Sequence, residues 1–369
     1  MQYIYADNAA TTKLDADAFE AMKPYLLEEY ANPSQPYSFS RATKKALRQA
    51  REDIASCINA LPEEIVFTSG GTESDNWAIK SMASKGDIIT SVIEHHAVLN
   101  SCKAASRKIT YLPVSKDGIV FPNDLGKLIG ENTKLVSIMT VNNEIGTIEP
   151  ISELATVAHT HGAFFHTDAV QAVGHIPLNV RSMNVDLLSA SAHKFNGPRG
   201  IGFLYLHKGL ELQSFMDGGL QENGMRAGTE NVASIVGMAV ALNKNCVEMK
   251  KTTGKLRRME HMLWGTLQEK GLDCRWNGGG TERAPGIISL SFRQANGEML
   301  LHRLDLMGIC VSTGSACDSK NTQVSHVINA IGVPAEYAEG TIRISFGRDN
   351  KEEDALKVAN AISRILKSG

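Results

Sequence analysis

The stretch "SASAHKFNGPRGIGFLYL", residues 189–206, sets a single lysine between two apolar segments. Small residues and a histidine precede Lys194, and a Gly/Pro-rich turn separates it from the apolar run that ends at residue 206. A solvated surface lysine does not need such surroundings. Apolar runs of this length, bounded by turn residues, are typical of buried strands. The stretch therefore predicts a lysine at the end of one buried strand and in front of another.

Further apolar runs alternate with helical patterns along the first part of the chain. The predicted strands are "EIVFT" (64–68), "DIITSVI" (87–93), "KLVSIMTV" (134–141), "AFFHT" (163–167), "VDLLSA" (185–190) and "GIGFLYL" (200–206). Helical stretches such as "ESDNWAIKSMA" and "ISELATVAHTHG" lie between them. This alternation indicates an α/β fold with a mainly parallel sheet that is covered by helices on both faces.

Polar clusters follow five of these runs. They are "SGGTESDN", "EHHAV", "NNEIG", "DAVQ" and "SAHK". Open α/β sheets bind their ligands outside the carboxyl ends of the strands. The five clusters are therefore predicted to converge on one site.

The pattern changes towards the C-terminus. A long charged helix is predicted at about residues 245–271. Strand-like "GIISLSF" (286–292), a helix in "NGEMLLHRLDLMG", the run "ICVST" and "TIRISFG" (341–347) follow it. These elements predict a second, smaller α+β domain, with a boundary near residue 250.

Composition narrows the classes of function. The chain has 369 residues, a net charge of −2 and six scattered cysteines without C-x-x-C or zinc-type spacing. A net charge this close to zero does not indicate binding to nucleic acid or to a membrane surface. The spacing of the cysteines does not predict a metal site. The N-terminus has no signal-peptide pattern and no apolar run is long enough to span a membrane. These features favour a cytoplasmic protein with reduced thiols.

Three of the features together suggest a cofactor. "SGGTESDN" could bind a phosphate at a helix N-terminus, although an ordinary capped turn fits it equally well. Asp168 ends a strand, where it could also serve as a helix cap. A lysine, a carboxylate and a phosphate cradle are what pyridoxal 5′-phosphate (PLP) requires.

The motifs resemble those of the cysteine desulfurases, the NifS/IscS-like members of the class V aminotransferase superfamily. The matching segments are "YADNAATT", "FTSGGTESDNWAIK", "EHHAVL", "VNNEIGTI", "HTDAVQAVG", "SAHKFNGPRGIGFLY", "MRAGTENVASIVGMA", "STGSACDS" and "IRISFGR". They occur in this order from residue 3 to about 350. Any one motif is weak evidence, whereas the ordered set is specific.

The resemblance implies the type I PLP-dependent transferase fold. It implies a large PLP-binding domain at 15–250 with a mainly parallel seven-stranded sheet. A small domain, formed by 1–14 and 251–369, would carry the catalytic cysteine loop. It also implies a homodimer whose active sites use residues of both subunits.

The resemblance assigns roles to individual positions. Lys194 would hold PLP covalently, Asp168 would pair with the ring nitrogen and Gln171 with the ring oxygen. His95 would stack on the ring and move protons, whereas His96 is expected to be structural. The resemblance assigns Gly71, Thr72, Ser191 and His193 as ligands of the phosphate. Thr229 would reach the phosphate in the active site of the partner subunit. Asn143 and Arg343 would bind the carboxylate of the substrate.

Cys317 is the predicted second nucleophile. Its small and polar neighbours in "STGSACDSK" favour a loop, whereas Cys310 lies in an apolar run. In the family, this cysteine takes the sulfur of L-cysteine as a persulfide, and alanine is released. The sulfur then passes to an acceptor protein such as an iron–sulfur scaffold or a thiolation enzyme. A selenocysteine lyase would share almost all of these residues, and another class V aminotransferase-like enzyme is a further alternative. A dinucleotide-binding oxidoreductase is disfavoured because the glycines of "GPRGIG" do not follow a first strand.

Overall fold

A computed structural model describes residues 3–105, 107–313 and 324–367. The strands are β1 (Ile4–Tyr5), β2 (Ile65–Thr68), β3 (Asp87–Ser91), β4 (Ile109–Leu112), β5 (Thr133–Ser137), β6 (Phe164–Asp168), β7 (Leu187–Ser191), β8 (Gly202–Leu206), β9 (Cys274–Asn277), β10 (Ile287–Phe292), β11 (Ile309–Cys310) and β12 (Thr341–Ser345). The helices are α1 (Ala16–Leu27), α2 (Arg41–Ile58), α3 (Gly71–Ala83), α4 (His96–Ala104), α5 (Pro122–Leu128), α6 (Ile151–Thr160), α7 (Val180–Met183), α8 (Val232–Glu269), α9 (Gly297–Leu306), α10 (His326–Ala330), α11 (Ala335–Ala338) and α12 (Glu352–Lys367).

A seven-stranded sheet forms the centre of the molecule, in the order β2-β8-β7-β6-β5-β3-β4. The four neighbouring pairs from β7 to β4 are parallel, and β8 runs antiparallel to both of its neighbours, β2 and β7. The prediction of a mainly parallel sheet is confirmed. The carboxyl ends of β2, β3, β5, β6 and β7 lie at one edge, so the five polar clusters follow strands that end at the same edge.

The strands of this sheet are apolar because both faces are covered. Strands β2, β7 and β8 are buried at every residue. One apolar cluster, which includes Ile54 of α2 and Leu154 of α6, packs on one side of the sheet. A second cluster contains Trp77 of α3 and Val98 of α4. Continuous apolar runs are the expected sequence signal of such strands.

Helix α8 is longer than the sequence pattern indicates. The predicted charged helix at 245–271 is the second half of a helix that begins at Val232. Its first half carries Ile235, Met238 and Leu242 into the cluster on the central sheet. The prediction placed the start too late, because a helix buried on most sides loses the polar stripe that marks an amphipathic helix.

The C-terminal elements build a separate core. Strands β9, β10 and β12 form an antiparallel sheet, and β1 pairs in parallel with β11. Leu256, Met259 and Leu263 of α8 pack with Ile288 and Ile362 in this core. The two halves of α8 thus belong to different cores, and the domain division at 15–250 stays a prediction.

The described residues contain no helix that is long and apolar enough to cross a membrane. In the same ranges, no group of three or more His, Cys, Asp or Glu side chains is placed to hold a metal ion.

Candidate active site

A cavity of about 300 Å³ lies at the carboxyl edge of the central sheet. Ten of the twelve predicted site residues line it: Gly71, Thr72, His95, Asn143, Asp168, Gln171, Ser191, His193, Lys194 and Arg343. A larger groove of about 1120 Å³ lies between the N-terminal segment and α12, and none of the predicted site residues lines it.

Lys194 follows β7 directly, in a short 3₁₀ turn formed by residues 192–194. Its Nζ donates hydrogen bonds to the carbonyl oxygens of Ala9 (2.7 Å) and Ala10 (2.8 Å). The carbonyl of Lys194 itself bonds Nε2 of His175 at 2.9 Å. Both ends of the residue are therefore fixed, and its ammonium group is held at the wall of the cavity.

The turn after Lys194 depends on glycine for close approach. A Cβ at Gly202 would lie 2.3 Å from the carbonyl oxygen of Ala190 and 2.7 Å from Cα of Gly70. In the sheet, Gly202 lies opposite Thr68 on one side and Ser191 on the other. The missing side chain lets the turn before α3 pack against the ends of β7 and β8.

That turn forms a cradle for an anion. Gly70 caps α3 with a φ of +147° and has no side chain that could accept hydrogen bonds from the amide groups of the first turn. A Cβ on Gly70 would lie 3.3 Å from Oγ of Ser191, and a Cβ on Gly71 would lie 3.7 Å from Cβ of Ser191. A hydroxyl thus lies at the positive end of a 13-residue helix, which is a favourable place for phosphate.

His193 completes this side of the cavity in its neutral form. Burial, together with the nearby charges of Lys194 and Arg199, lowers its pKa to about 4. Nδ1 of His193 bonds the hydroxyl of Thr11 at 3.1 Å. The imidazole can therefore donate to an anion without a charge of its own.

Asp168 is the last residue of β6 and is 5% exposed. Burial raises the pKa of its carboxyl group, and His95, the amide of Val170 and Lys194 partly oppose this effect. Oδ1 accepts a hydrogen bond from the amide of Val170 at 2.9 Å. The carboxyl group is thus oriented, and it can bind a cationic N–H in the cavity.

Gln171 lies one turn further along the chain. Its Nε2 donates to the carbonyl oxygen of Ala9 at 2.8 Å, the same oxygen that Lys194 binds. The N-terminal segment therefore joins both side chains.

His95 is the N-cap of α4. Its Nδ1 accepts a hydrogen bond from the amide of Ala97 at 3.1 Å. Burial lowers its pKa, and the neighbouring Lys194, His96 and His326 lower it further, whereas Asp168 raises it. The lowered pKa favours the neutral imidazole, which faces the same cavity as Lys194.

Arg343 enters the cavity from β12 and is 4% exposed. Its Nη2 lies 2.8 Å from Oδ1 of Asp7, and its Nη1 donates to the carbonyl oxygen of Asn143 at 3.0 Å. Its Nε is buried and has no hydrogen-bond partner. The main-chain carbonyl group of Asn143 thus helps to orient the guanidinium group of Arg343.

Two predicted residues are not in the cavity. Thr229 is exposed and does not line it. Cys317 lies outside the described residues, and so does most of the loop predicted around it. The chain before this segment pairs with the site, because the amide of Ser312 donates to the carbonyl of Arg343 at 3.0 Å. His326, soon after the segment, lines the cavity.

The sequence reasoning missed the contribution of the N-terminal segment. "YADNAATT" was recognised as a motif, but no role was given to Asp7 or to the carbonyl groups of Ala9 and Ala10. Carbonyl oxygens leave no side-chain signal in a sequence. Asp7 could have been suspected because it is the only carboxylate of this motif, but its partner Arg343 is 336 residues away.

A model of the class V aminotransferase family matches residues 4–358. A cysteine desulfurase IscS from Dictyoglomus turgidum is 48% identical over 98% of this chain and 94% of its own length. The chain belongs to the cysteine desulfurase family. Another relative, the cysteine desulfurase IscS of Methanosarcina thermophila, is 44% identical over 98% of this chain and 92% of its own length.

Solved structures give the same result for the fold. A NifS-like protein superimposes with a TM-score of 0.93 at 36% identity, and the match covers 100% of both chains. A structure of SspA in complex with cysteine has a TM-score of 0.80 at 35% identity and covers 93% of this chain and 98% of that one. The predicted family and the predicted type I PLP-dependent transferase fold are confirmed, and this family member is a desulfurase-type enzyme.

Proposed function

We propose that this enzyme converts L-cysteine to L-alanine at the cavity described above and passes the sulfur to Cys317 as a persulfide. One observation carries the proposal. Lys194, Asp168, the N-terminus of α3 and Arg343 meet around a single cavity, although they come from four distant parts of the chain. A lysine, an acid, an anion cradle and a guanidinium are the groups that a PLP enzyme acting on an amino acid needs.

The residues present fit PLP. Gly70 and Gly71 bring the N-terminus of α3 close to Ser191, and Gly202 lets this turn pack against the sheet. A buried acid and an oriented lysine lie in the same cavity. The proposed ligands are Gly71, Thr72, Ser191 and His193 for the phosphate, Asp168 and Gln171 for the ring, His95 and Asn143 beside it, and Lys194 for covalent attachment. When bound, the cofactor supplies a ring that stabilises negative charge on the carbon next to the substrate amino group.

Asp168 and Lys194 are proposed to act on two different protons, one on the cofactor ring and one on the substrate. Asp168 would hold a protonated ring nitrogen, because an oriented carboxylate is a suitable partner for a buried cation. Lys194 would hold or accept a proton at Nζ. The carbonyl oxygens of Ala9 and Ala10, both within 2.8 Å of Nζ, keep this group where it can serve the substrate carbon.

Arg343 is the proposed ligand of the substrate carboxylate. Its buried Nε lacks a partner, so the guanidinium has one unsatisfied donor that a carboxylate would bind. Asp7 holds the neighbouring Nη2 at 2.8 Å and fixes the plane of the group. Planar guanidinium binds a carboxylate through two parallel hydrogen bonds, which also defines the orientation of the amino acid.

Cys317 is the proposed sulfur acceptor within the chain. The described residues on both sides of its segment support this role, because Ser312 pairs with the backbone of Arg343 and His326 lines the cavity. Cys310 is a less suitable nucleophile. Burial raises the pKa of its thiol, and Asp305 and Asp7 raise it further.

The proposed enzyme is a cytoplasmic homodimer that transfers its sulfur to an acceptor protein. Exposed apolar side chains around α1 and the loop after it would suit a subunit interface. They are Leu26, Leu27, Tyr30 and Phe39, which are between 47% and 73% exposed. Thr229 would reach the phosphate of the partner's site. The acceptor would be an iron–sulfur scaffold or a thiolation enzyme, as its family relationship suggests.

The experiment that tests this proposal measures where the sulfur of L-cysteine is transferred. The purified enzyme is mixed with L-cysteine, and alanine and protein-bound persulfide are measured by chromatography and mass spectrometry. Cys317→Ser should bind PLP but form neither product, whereas the matched variant Cys310→Ser should remain active. Alanine formation by Cys317→Ser at the wild-type rate would contradict the proposal. Activity of that variant with selenocysteine alone would favour a selenocysteine lyase.

A further inference from the structure

The outer edge of β2 is covered by side chains. Within the described residues, β2 lies at one end of the central sheet and pairs with β8 alone. On its outer side, the amide of Phe67 donates to Oε2 of Glu222 at 3.0 Å. The amide of Ser69, just beyond the strand, donates to Oε2 of Glu73 at 2.9 Å. Two carboxylates thus accept from amide groups that an edge strand otherwise leaves to water or to another chain.

Each of these carboxylates is paired with an arginine. Oε1 of Glu73 lies 2.9 Å from Nε of Arg226, and its Oε2 lies 3.2 Å from Nη2 of the same guanidinium. Glu222 forms an equivalent two-point pair with Arg51, at 2.6 and 2.8 Å. The side chains of Glu73 and Glu222 are only 8% and 6% exposed. Two-point pairs of this kind are among the stronger ionic contacts in proteins, so each buried carboxylate has a counter-charge.

The pair of Glu73 and Arg226 is the one that adjoins the anion cradle. Glu73 is the third residue of α3, whose N-terminus is proposed to bind phosphate. Gly71 and Thr72 line the cavity, whereas Glu73 is not among the described residues that line it. Arg226 belongs to the connection between β8 and α8, residues 207–231. The pair therefore lies outside the cavity, in the first turn of the helix that forms its anion-binding wall.

A carboxylate in this turn competes with a phosphate. Negative side chains in the first turn of a helix are attracted by the same amide groups and the same dipole that bind an anion. A phosphate ester carries nearly two negative charges at neutral pH, so an uncompensated Glu73 would repel it. Arg226 supplies the compensating charge, because its guanidinium binds both oxygens of Glu73.

We propose that Arg226 is a positioning residue of the phosphate site and acts through Glu73. The inference rests on the proposed PLP site. Glu73 ties the start of the cradle to the first turn of α3 through the amide of Ser69, and Arg226 neutralises the charge that this contact brings near the phosphate. The pair thereby sets how tightly the cradle holds a phosphate ester. The sequence analysis quoted Arg226 in "MRAGT" but gave a role only to Thr229 of that motif.

The experiment compares two substitutions that break the same ion pair but leave opposite charges. Glu73→Gln removes the negative charge and leaves Arg226 unpaired, while the amide oxygen of glutamine can still accept from the amide of Ser69. Arg226→Met removes the positive charge and leaves the carboxylate of Glu73 unpaired. Each full-length, cofactor-free variant is titrated by absorbance with PLP and, separately, with pyridoxal, which lacks the phosphate.

The affinity for PLP should change in opposite directions. Glu73→Gln should bind PLP about three- to tenfold more tightly than wild type, and Arg226→Met about three- to tenfold more weakly, because one charge near a doubly charged ligand is lost. Affinity for pyridoxal should stay close to the wild-type value in both variants. The double variant should return the affinity for PLP to near the wild-type value. All differences should shrink at about 1 M salt, which screens charges in partly exposed sites.

Arg51→Met is the matched control. It breaks the second ion pair on the same strand edge, at Glu222, which contacts β2 at Phe67 and not at the cradle. The melting temperature should fall as it does in Arg226→Met, because each variant leaves a largely buried carboxylate unpaired. The ratio of the affinities for PLP and pyridoxal should stay that of the wild type.

The outcomes separate the inference from the proposed function. If the wild type binds PLP no more tightly than pyridoxal, the cavity holds no phosphate and the proposed function is wrong. If the wild type prefers PLP but the ratio does not shift in opposite directions in the two variants, the role of Arg226 is wrong. Should Arg226→Met fail to fold, Glu73→Gln decides alone, because a purely structural ion pair gives no reason for tighter binding of PLP.

Discussion

Gly202→Ala tests whether the turn before α3 is held in place by close backbone contact. The new Cβ would lie 2.3 Å from the carbonyl oxygen of Ala190, whereas ordinary Cβ contacts are 3.4–4 Å. It would also lie 2.7 Å from Cα of Gly70. Both neighbours are backbone atoms, so neither can rotate away. The turn and the strand must separate by about 1 Å in a close-packed interior.

The expected cost has two parts. Overpacking of this size lowers the free energy of unfolding by about 1–3 kcal/mol. The displaced amide groups of Gly71 and Thr72 would also lose hydrogen bonds to the phosphate, each worth about 1.5–3 kcal/mol for a charged partner. Loss of one such bond weakens PLP binding by roughly 10- to 100-fold. The φ of Gly202 is not in the left-handed region, so backbone strain adds nothing.

Two measurements check this expectation. Urea unfolding of the cofactor-free protein gives the stability, and absorbance titration gives the affinity for PLP. The matched control is Gly265→Ala, because no atom lies within 4 Å of its Cβ position in α8. That variant should gain up to about 1 kcal/mol from helix propensity and bind PLP normally. Wild-type stability and PLP affinity in Gly202→Ala would refute the reasoning.

Three further substitutions test the proposed roles. Lys194→Ala should remain folded but lose the yellow colour and the borohydride-reducible adduct of the holoenzyme; a reducible adduct with full activity would contradict its role. Arg343→Lys keeps the charge but loses the two-pronged geometry, so KM for cysteine should rise by about tenfold or more in steady-state assays. An unchanged KM would point to another ligand. Thr229→Ala should weaken PLP retention by about 1 kcal/mol or somewhat more, measured by dialysis, and a monomeric mass by light scattering would exclude its role in a partner's site.

Much of the central sheet could be predicted because burial on both faces leaves a strong signal. All six predicted strands of this sheet overlap strands of the structure, from β2 to β8. The missed strand, β4, lies at the edge of the sheet, and its residues Ile109, Thr110 and Tyr111 are not fully buried. The other edge strand, β2, is buried at every residue and was predicted, so the weak signal of β4 follows from its partial exposure and not from its edge position alone. The direction of β8 could not be predicted either, because an antiparallel strand that is buried on both faces carries the same kind of apolar run as a parallel one.

The site could be predicted where side chains carry the chemistry. Ten residues named from motifs line one cavity. The contacts that orient them were not predictable, because Lys194 and Gln171 bind a backbone carbonyl and Arg343 binds Asp7 across 336 residues. Such contacts depend on where the N-terminal segment crosses the sheet edge, and no local pattern records that path.

Two further buried acids, Asp75 in the cavity wall and Glu94, show how the environment favours ionisation of one carboxyl group over others. Burial raises the pKa of Glu94 to about 8 and raises that of Asp75 well above its usual range. His166, 3.6 Å from Asp75, cannot compensate, because burial lowers its pKa to about 3. Asp168 differs because His95 and Lys194 lie close to it and oppose the effect of burial. With Glu94 and Asp75 protonated, Asp168 is the carboxyl group of this trio that ionises most readily, so negative charge is concentrated where a cationic ring nitrogen would lie.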